Sequence, residues 1–361
     1  VQAASALIDR RHFLKAAGAV FLAGLAPGAA EALMRSDAVY ASAFRDGNGA
    51  FGLAILSEAG DILATAELPG RAHGLASSPA TGKVVAFARR PGMYALVMDV
   101  DGNAPPLVIS APEGRHYYGH GHFSPDGRIL YASENDFDGN RGMIGLYDAR
   151  DGFRRIGEFE AHGLGTHDMT VSDDGRLLII ANGGIETHPD FGRTKLNLDN
   201  MQPSLVLADA ATGALIEKHD MPEALRQLST RHVDVDARGR VWFACQYEGP
   251  RTDLPPLVGH FARGEDLRFI DLPRQVTQAL GNYVGAIAVN RGEGLVGITS
   301  PNKGMAVTID GKSGRVVNER AVADAAGIAA STASFAVSSY RGDFGDKKQA
   351  VNWDQHIIRL R

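Results

Sequence analysis

Gly119-His120-Gly121-His122-Phe123-Ser124-Pro125-Asp126-Gly127-Arg128-Ile129-Leu130-Tyr131 is the stretch that decides how this chain is read. A histidine opens a short apolar strand, a Ser-Pro-Asp-Gly turn reverses the chain, and a second, more apolar strand returns. Glycine at the end of such a turn takes the positive φ that tight hairpins require. The same unit recurs where Ala72-His73-Gly74 leads to residues 83–87, where Thr166-His167-Asp168 leads to residues 177–180, and where Arg231-His232-Val233 leads to Val241-Trp242-Phe243. A third strand then ends in aspartate, at Asp99, Asp148 and Asp209, and again at Asp310.

His73, His120 and His167 follow one another at about 47 residues, and His232 comes about 65 later; a period in the forties with several short strands per unit is the signature of a β-propeller. Two further units without the histidine begin near Asn282-Tyr283-Val284 and Asp324-Ala325. The seventh comes from joining the ends. Residues 38–68 read as strands two to four of a blade with no first strand, and residues 353–360 read as a first strand complete with His356. Pairing them closes the ring and hides both open sheet edges. The expected fold is therefore all-β, a seven-bladed propeller closed by pairing of the C-terminal strand with the N-terminal blade. The blade before closure, residues 325–352, is short of sequence for its outer strands.

Asp9-Arg10-Arg11-His12-Phe13-Leu14-Lys15, an apolar stretch over residues 16–30, and the small-x-small site ending at Ala32 read as a twin-arginine signal peptide over residues 1–32. Arg10 and Arg11 form its signature and Ala32 its cleavage position. Its apolar core covers only about 22 Å of helix against a bilayer core of about 30 Å, so a permanent membrane anchor is not expected. Residues 33–361 are then one propeller domain, with about 47 residues per blade, and the expected location is the periplasm, reached by an export route that carries folded proteins. A formal net charge of −5 with acids and bases interspersed gives no footprint for nucleic acid. The single cysteine, Cys245, lies in an apolar strand and reads as a small buried residue.

In an antiparallel blade the start of strand one and the loop after strand two share a face. That face would carry His73, His120, His167, His232 and His356 around the central channel, together with the long insertions after strand two. Converging imidazoles can hold a copper, iron or zinc ion; equally, each ring can hydrogen-bond the neighbouring blade and pin it. His122, two residues beyond His120, falls on the same strand side. The largest insertion runs from residue 183 to 202 and packs ionisable groups into a loop too long for a hairpin. The ligand-binding candidates on this face are Glu134, Asn135, Asn182, Glu186, His188, Asp190, Arg193, Lys195, Gln246 and Glu248. Residues 135–140 resemble a calcium loop but lack its distal bidentate glutamate, and read as a turn.

Ser133-Glu134-Asn135, Ile156-Gly157-Glu158-Phe159, Ala181-Asn182-Gly183-Gly184-Ile185-Glu186-Thr187-His188-Pro189-Asp190, Arg193 with Lys195-Leu196-Asn197-Leu198, Gln202-Pro203-Ser204-Leu205 and Gln246-Tyr247-Glu248-Gly249 resemble the bacterial domain-of-unknown-function family numbered 1513. The resemblance covers nearly all of residues 33–361. It implies a twin-arginine leader, a fold of the YVTN and WD-repeat propeller superfamily, and genes beside imelysin-type and di-haem peroxidase-like proteins of iron acquisition; it implies no activity. Three classes of function follow. The first is a periplasmic binding protein, an accessory of iron or copper acquisition, that takes a metal, a metal complex or an imelysin-like partner on the histidine face. The second is a lyase or oxidoreductase working under the insertion, and the third is a pure interaction scaffold.

Overall fold

The computed structural model describes residues 37–360, so the expected leader, with Arg10, Arg11 and Ala32, falls outside the described residues. Seven four-stranded antiparallel sheets stand in a ring. The first blade takes its inner strand from the far end of the chain: Val351–Arg359 lies beside Ala38–Asp46, with Phe51–Ser57 and Ile62–Leu68 outside. Its register runs from Tyr40 opposite Arg359 to Asp46 opposite Val351. The inner strands of the second to seventh blades are Ala72–Ser78, Arg115–Phe123, Thr166–Val171, Leu228–Val235, Ala286–Asn290 and Ala325–Ala330. The two outer strands of the seventh, Asp343–Phe344 and Lys347–Lys348, are two residues each, in keeping with the short sequence there. Among the described residues no helix is long and apolar enough to cross a membrane.

The predicted turns form as their residues dictate. Gly127 has φ +68° and donates its N–H to the Ser124 carbonyl at 2.8 Å, and the Asp126 carboxylate accepts the Ser124 hydroxyl at 2.6 Å. Apolar side chains fill the seams between blades, where alternate residues of inner and middle strands face one another; Cys245 is fully buried in the largest of these clusters.

Six of the seven inner strands carry a β-bulge, and all five histidine-bearing strands are among them. His73 and Gly74 oppose one residue between Ala88 and Ala86; His167 is the extra residue between Thr166 and Asp168; Arg231 is the extra residue before His232. In the third blade residues 118–120 oppose Ser133 alone, and in the first blade residues 354–356 oppose Ala43 alone. A bulge bends the strand and re-aims side chains that strict alternation would send to opposite faces. Serine hydroxyls absorb the disrupted ladder: Ser133 Oγ donates to the His120 carbonyl at 2.9 Å and accepts its N–H at 3.2 Å, while Ser42 Oγ donates to the His356 carbonyl at 2.8 Å.

One buried charge holds the third blade together. Glu134 is fully buried, in a space that Gly145 leaves by having no side chain; it accepts the Tyr147 hydroxyl at 2.7 Å and pairs with Arg155 at 2.8 Å. Arg155→Ala strands this carboxylate without a cation, and is expected to cost about 3 kcal/mol in urea unfolding. Arg154→Ala, at an exposed pair, should leave the urea midpoint unchanged.

Candidate metal centre

The bulges bring the five histidines of five blades to one place. The ring centroids of His73, His167, His232 and His356 form a closed quadrilateral with sides of 5.5, 4.9, 4.7 and 4.9 Å. His120 caps it, at 4.8, 5.0, 5.2 and 4.8 Å from the four. Within this layer His73, His120 and His356 form one trio, and His120, His167 and His232 another, with one nitrogen of each member inside 4.8 Å of the others. His73, His120, His167 and His232 are buried, and His356, half-buried as a residue, places its ring in the same buried layer. His73 Nδ1, His120 Nε2 and His356 Nε2 meet no hydrogen-bond partner.

Glycine sets the close approach. A Cβ on Gly74 would stand 2.5 Å from His120 Nδ1 and 2.4 Å from the Gly119 carbonyl oxygen, and one on Gly119, at φ +109°, would stand 2.9 Å from the His73 ring. The His73-Gly74 and Gly119-His120 dipeptides thus interlock, each histidine resting where the other's glycine has no side chain. Gly74→Ala must push back a carbonyl as well as a ring, and is expected to cost about 1–3 kcal/mol by thermal unfolding.

Asp168 joins this layer. Its carboxylate lies 3.2 Å from His120 Nδ1 and 3.6 Å from His232 Nδ1, and it accepts the Val233 N–H at 3.2 Å. Burial alone would raise the carboxyl, but the imidazoles of His120 and His232 hold it well below the ordinary carboxylate range. An N–H given to Asp168 from Nδ1 leaves the His120 Nε2 lone pair free. Burial, followed by repulsion from neighbouring imidazoles and arginines, pulls His73, His167 and His356 well below the usual imidazole range, and burial takes His232 to about 4. Those four rings are therefore neutral at pH 7, the form in which imidazole ligates metal. A contact with a neighbouring blade, which the sequence also allowed, is present for His120 and His232 through the Asp168 carboxylate at 3.2 and 3.6 Å, while the rings still face one another.

The histidine layer divides the channel. On the side away from the insertions lies a cavity of about 780 Å³ whose wall includes His120, His122, Asp168, His232, His356 and Arg291. His122 takes no part in the layer; its Nδ1 meets the Phe123 carbonyl at 2.8 Å. On the insertion side the layer meets arginines: Arg231 Nη1 lies 3.4 Å from His167 Nδ1, and its Nη2 donates to Gln246 Oε1 at 2.6 Å.

The remaining candidates separate into two groups. Lys195 pairs with Glu248 at 2.5 Å, Glu248 also lies 3.7 Å from Arg231, and Gln246 holds Arg231, so these stand at the mouth together. Glu134, Asn135 and Asn182, by contrast, turn into the blades. Their strands run on to Asp136 and Asn182, past the points where the sequence suggested loops. Asn135 donates to the Thr187 carbonyl at 3.2 Å and meets His116 Nε2 at 3.2 Å. Asn182 accepts the Thr166 hydroxyl at 2.7 Å and donates to the Ala161 carbonyl at 2.9 Å.

The insertion folds on itself. Asn197 accepts the Glu186 N–H at 2.8 Å and donates to the Gly184 carbonyl at 3.0 Å, and the 3₁₀ turn Pro189–Phe191 is capped by His188 accepting the Asp190 N–H at 3.2 Å. Asp190 is exposed, and Glu186 and Arg193 form no ion pair with each other among the described residues. Residues 135–140 make a turn, with Asp136 accepting the Gly139 N–H at 3.0 Å and pairing with Arg141 at 2.6 Å.

Fold and site together define a seven-bladed propeller whose channel is crossed by a layer of histidines. The chain belongs to the family described as "Protein of unknown function (DUF1513)", whose model matches residues 66–360. Among curated proteins it is 34% identical over 83 residues to the dihydro-heme d1 dehydrogenase of Pseudomonas aeruginosa, a match covering 23% of this chain and 15% of that protein. Among solved structures it resembles the Kuenenia stuttgartiensis hydrazine synthase, with TM-score 0.61 and 12% identity over 82% of this chain and 92% of the other. A protein of unknown function from Bacteroides caccae matches with TM-score 0.51 and 12% identity, covering 90% and 99% of the two chains. At these identities the likeness to the solved structures is one of fold.

Proposed function

We propose that the protein binds a metal ion, free or as a complex, on the five-histidine layer of its channel, and serves as an exported accessory of iron or copper acquisition. The observation that carries this reading is the convergence of five buried imidazoles, three with an unpartnered nitrogen, beside one carboxylate. Burying so many nitrogen lone pairs without partners is unfavourable unless something takes them. With metal–nitrogen bonds of about 2.0–2.1 Å, imidazoles sharing one ion have ring centroids about 4.5–5.2 Å apart, close to the spacing present here. The Asp168 contact to His120 has the carboxylate–histidine–metal form that fixes ring and tautomer. The short match to a dihydro-heme d1 dehydrogenase supports the metal-complex variant, and the paired arginines at residues 10 and 11 support export to the periplasm.

Titration of metal-free protein with Cu²⁺, Zn²⁺ and Fe²⁺ by calorimetry tests the reading. One ion per chain is expected for at least one of the three, with sub-micromolar affinity. An absence of saturable heat for all three, with no metal in protein recovered from cells, would remove it. Fractionation of cells making the full chain and an Arg10→Lys/Arg11→Lys variant tests the location, with periplasmic accumulation expected only for the unaltered chain.

A further inference from the structure

The histidine layer accounts for one half of the channel's chemistry. The insertion-bearing mouth above it gathers arginines from four separate parts of the chain: Arg71 and Arg89 from the second blade, Arg90 beside them, Arg193 from the insertion and Arg231 from the fifth blade. Arg71 and Arg89 line a cavity of about 490 Å³ together with Tyr283 and Tyr340. Two of the five have side-chain partners, although Arg231 Nε is itself buried without one. Arg71 makes a two-pronged pair with Asp354 at 2.9 and 2.8 Å, and Arg231 holds Gln246 and lies near Glu248. Arg89, Arg90 and Arg193 form no ion pair among the described residues, and Arg89 Nε is buried without a partner. Carboxylates adjoin these cations too: Asp354 pairs with Arg71, Glu248 lies near Arg231 and is already engaged by Lys195, and Glu186 acts on the Tyr118 hydroxyl.

Like charges gathered this way raise the energy of the protein alone. Arg90 feels it: burial first, then Arg231, Arg193 and Arg89, pull its guanidinium down to about 10. Arg193 is lowered in the same sense, by burial and then by Arg89, Arg231 and Arg71. The Tyr118 hydroxyl stands beside Arg90 and bonds Thr187 at 3.0 Å, holding the insertion's base against the cluster. Guanidiniums gathered without ion-pair partners are suited to oxyanion groups, carboxylate or phosphate, which each binds through two parallel hydrogen bonds.

We propose that this mouth binds a small polycarboxylate, with Arg89, Arg90 and Arg193 as its carboxylate ligands. The anion site stands on the guanidiniums and does not need the histidine layer to hold a metal. If that layer does hold one, the ligand satisfying both is a metal ion in a carboxylate chelate, its carboxylates on the arginines and its ion on the imidazoles.

The test is calorimetric titration of the metal-free protein with citrate, and in parallel with inorganic phosphate, at low and at 0.5 M salt. Citrate is expected to bind one to one and to weaken at high salt. Arg90→Gln/Arg193→Gln should lose at least about tenfold in citrate affinity, while melting no lower than the parent because repulsion is relieved. Because the titration uses metal-free protein, its outcome does not depend on the histidine layer holding an ion, and failure of the anion site is read separately from failure of the metal reading. No saturable citrate binding, unchanged affinity in the double variant, or a double variant that melts well below the parent would each overturn the proposal. Phosphate binding without citrate binding would overturn the carboxylate assignment.

Discussion

Ending the chain at Ala350 is expected to abolish cooperative folding, although only the last blade strand is removed. Val351–Arg359 is the innermost strand of the first blade, so its loss opens the ring at the axis. Trp353 is 1% exposed and packs on Phe44 and Phe344, Ile357 and Leu360 are buried, and Gln355 donates to the Gly285 carbonyl at 2.8 Å, across to the sixth blade. Asp354 would no longer pair with Arg71, nor Ser42 with the His356 carbonyl. Burial of the three large apolar side chains is worth about 1.5–3 kcal/mol each, and each backbone hydrogen bond of the ladder roughly 1 kcal/mol more. The sum rivals the whole stability of an ordinary domain, about 5–15 kcal/mol. Circular dichroism should show strand content without a sharp thermal transition, and a peptide of residues 351–361 added in excess should restore one. A truncated chain that melts within a few degrees of the full one would mean that the ring does not depend on its closure.

That closure was legible because it depends on counting: residues 38–68 lack a first strand and residues 353–360 supply one with a matching histidine. The turns were legible too, since Ser-Pro-Asp-Gly and Ser-Asp-Asp-Gly carry their geometry locally. The histidine set could be read from its period, but the reason the rings meet could not. Nothing in Thr166-His167-Asp168 announces a bulge, and a regular strand would send His167 and Asp168 to opposite faces; the bulge brings both to the channel. Gly74 and Gly119 stood in plain view beside their histidines, yet the close approach they permit is between blades about 46 residues apart. Glu134, Asn135 and Asn182 looked like loop residues because polar groups near a strand end suggest one, but Glu134 and Asn182 find their partners within the blades and Asn135 ties its strand to the base of the insertion at Thr187. The arginine cluster escaped notice for a related reason. Residues 71, 89, 90, 193 and 231 have no common spacing, and only the ring makes them neighbours.

His120→Ala should have the largest effect on metal binding, and the shape of the layer says why. His120 belongs to both trios and touches all four other rings, whereas each of the four touches at most three. Wherever in the layer an ion settles, His120 is within reach. Removing it is expected to weaken binding by about a thousandfold or more, since the loss of one ligand is compounded by the loss of the fixed tautomer that Asp168 imposes. Asp168→Asn tests the second part separately: the amide keeps the shape and removes the charge, and should weaken binding about 10–100-fold. His122→Ala is the control on the same strand, because its ring is turned to its own backbone and lies outside both trios. The measurement is the dissociation constant of whichever ion the parent binds, with thermal melting of each variant to confirm the fold. Equal losses in the His120 and His122 variants would mean that the effect is general disturbance of the inner strand. Retention of parent affinity by His120→Ala would mean that five imidazoles meet at the axis for packing between blades, and that the ion, if one binds, is held elsewhere.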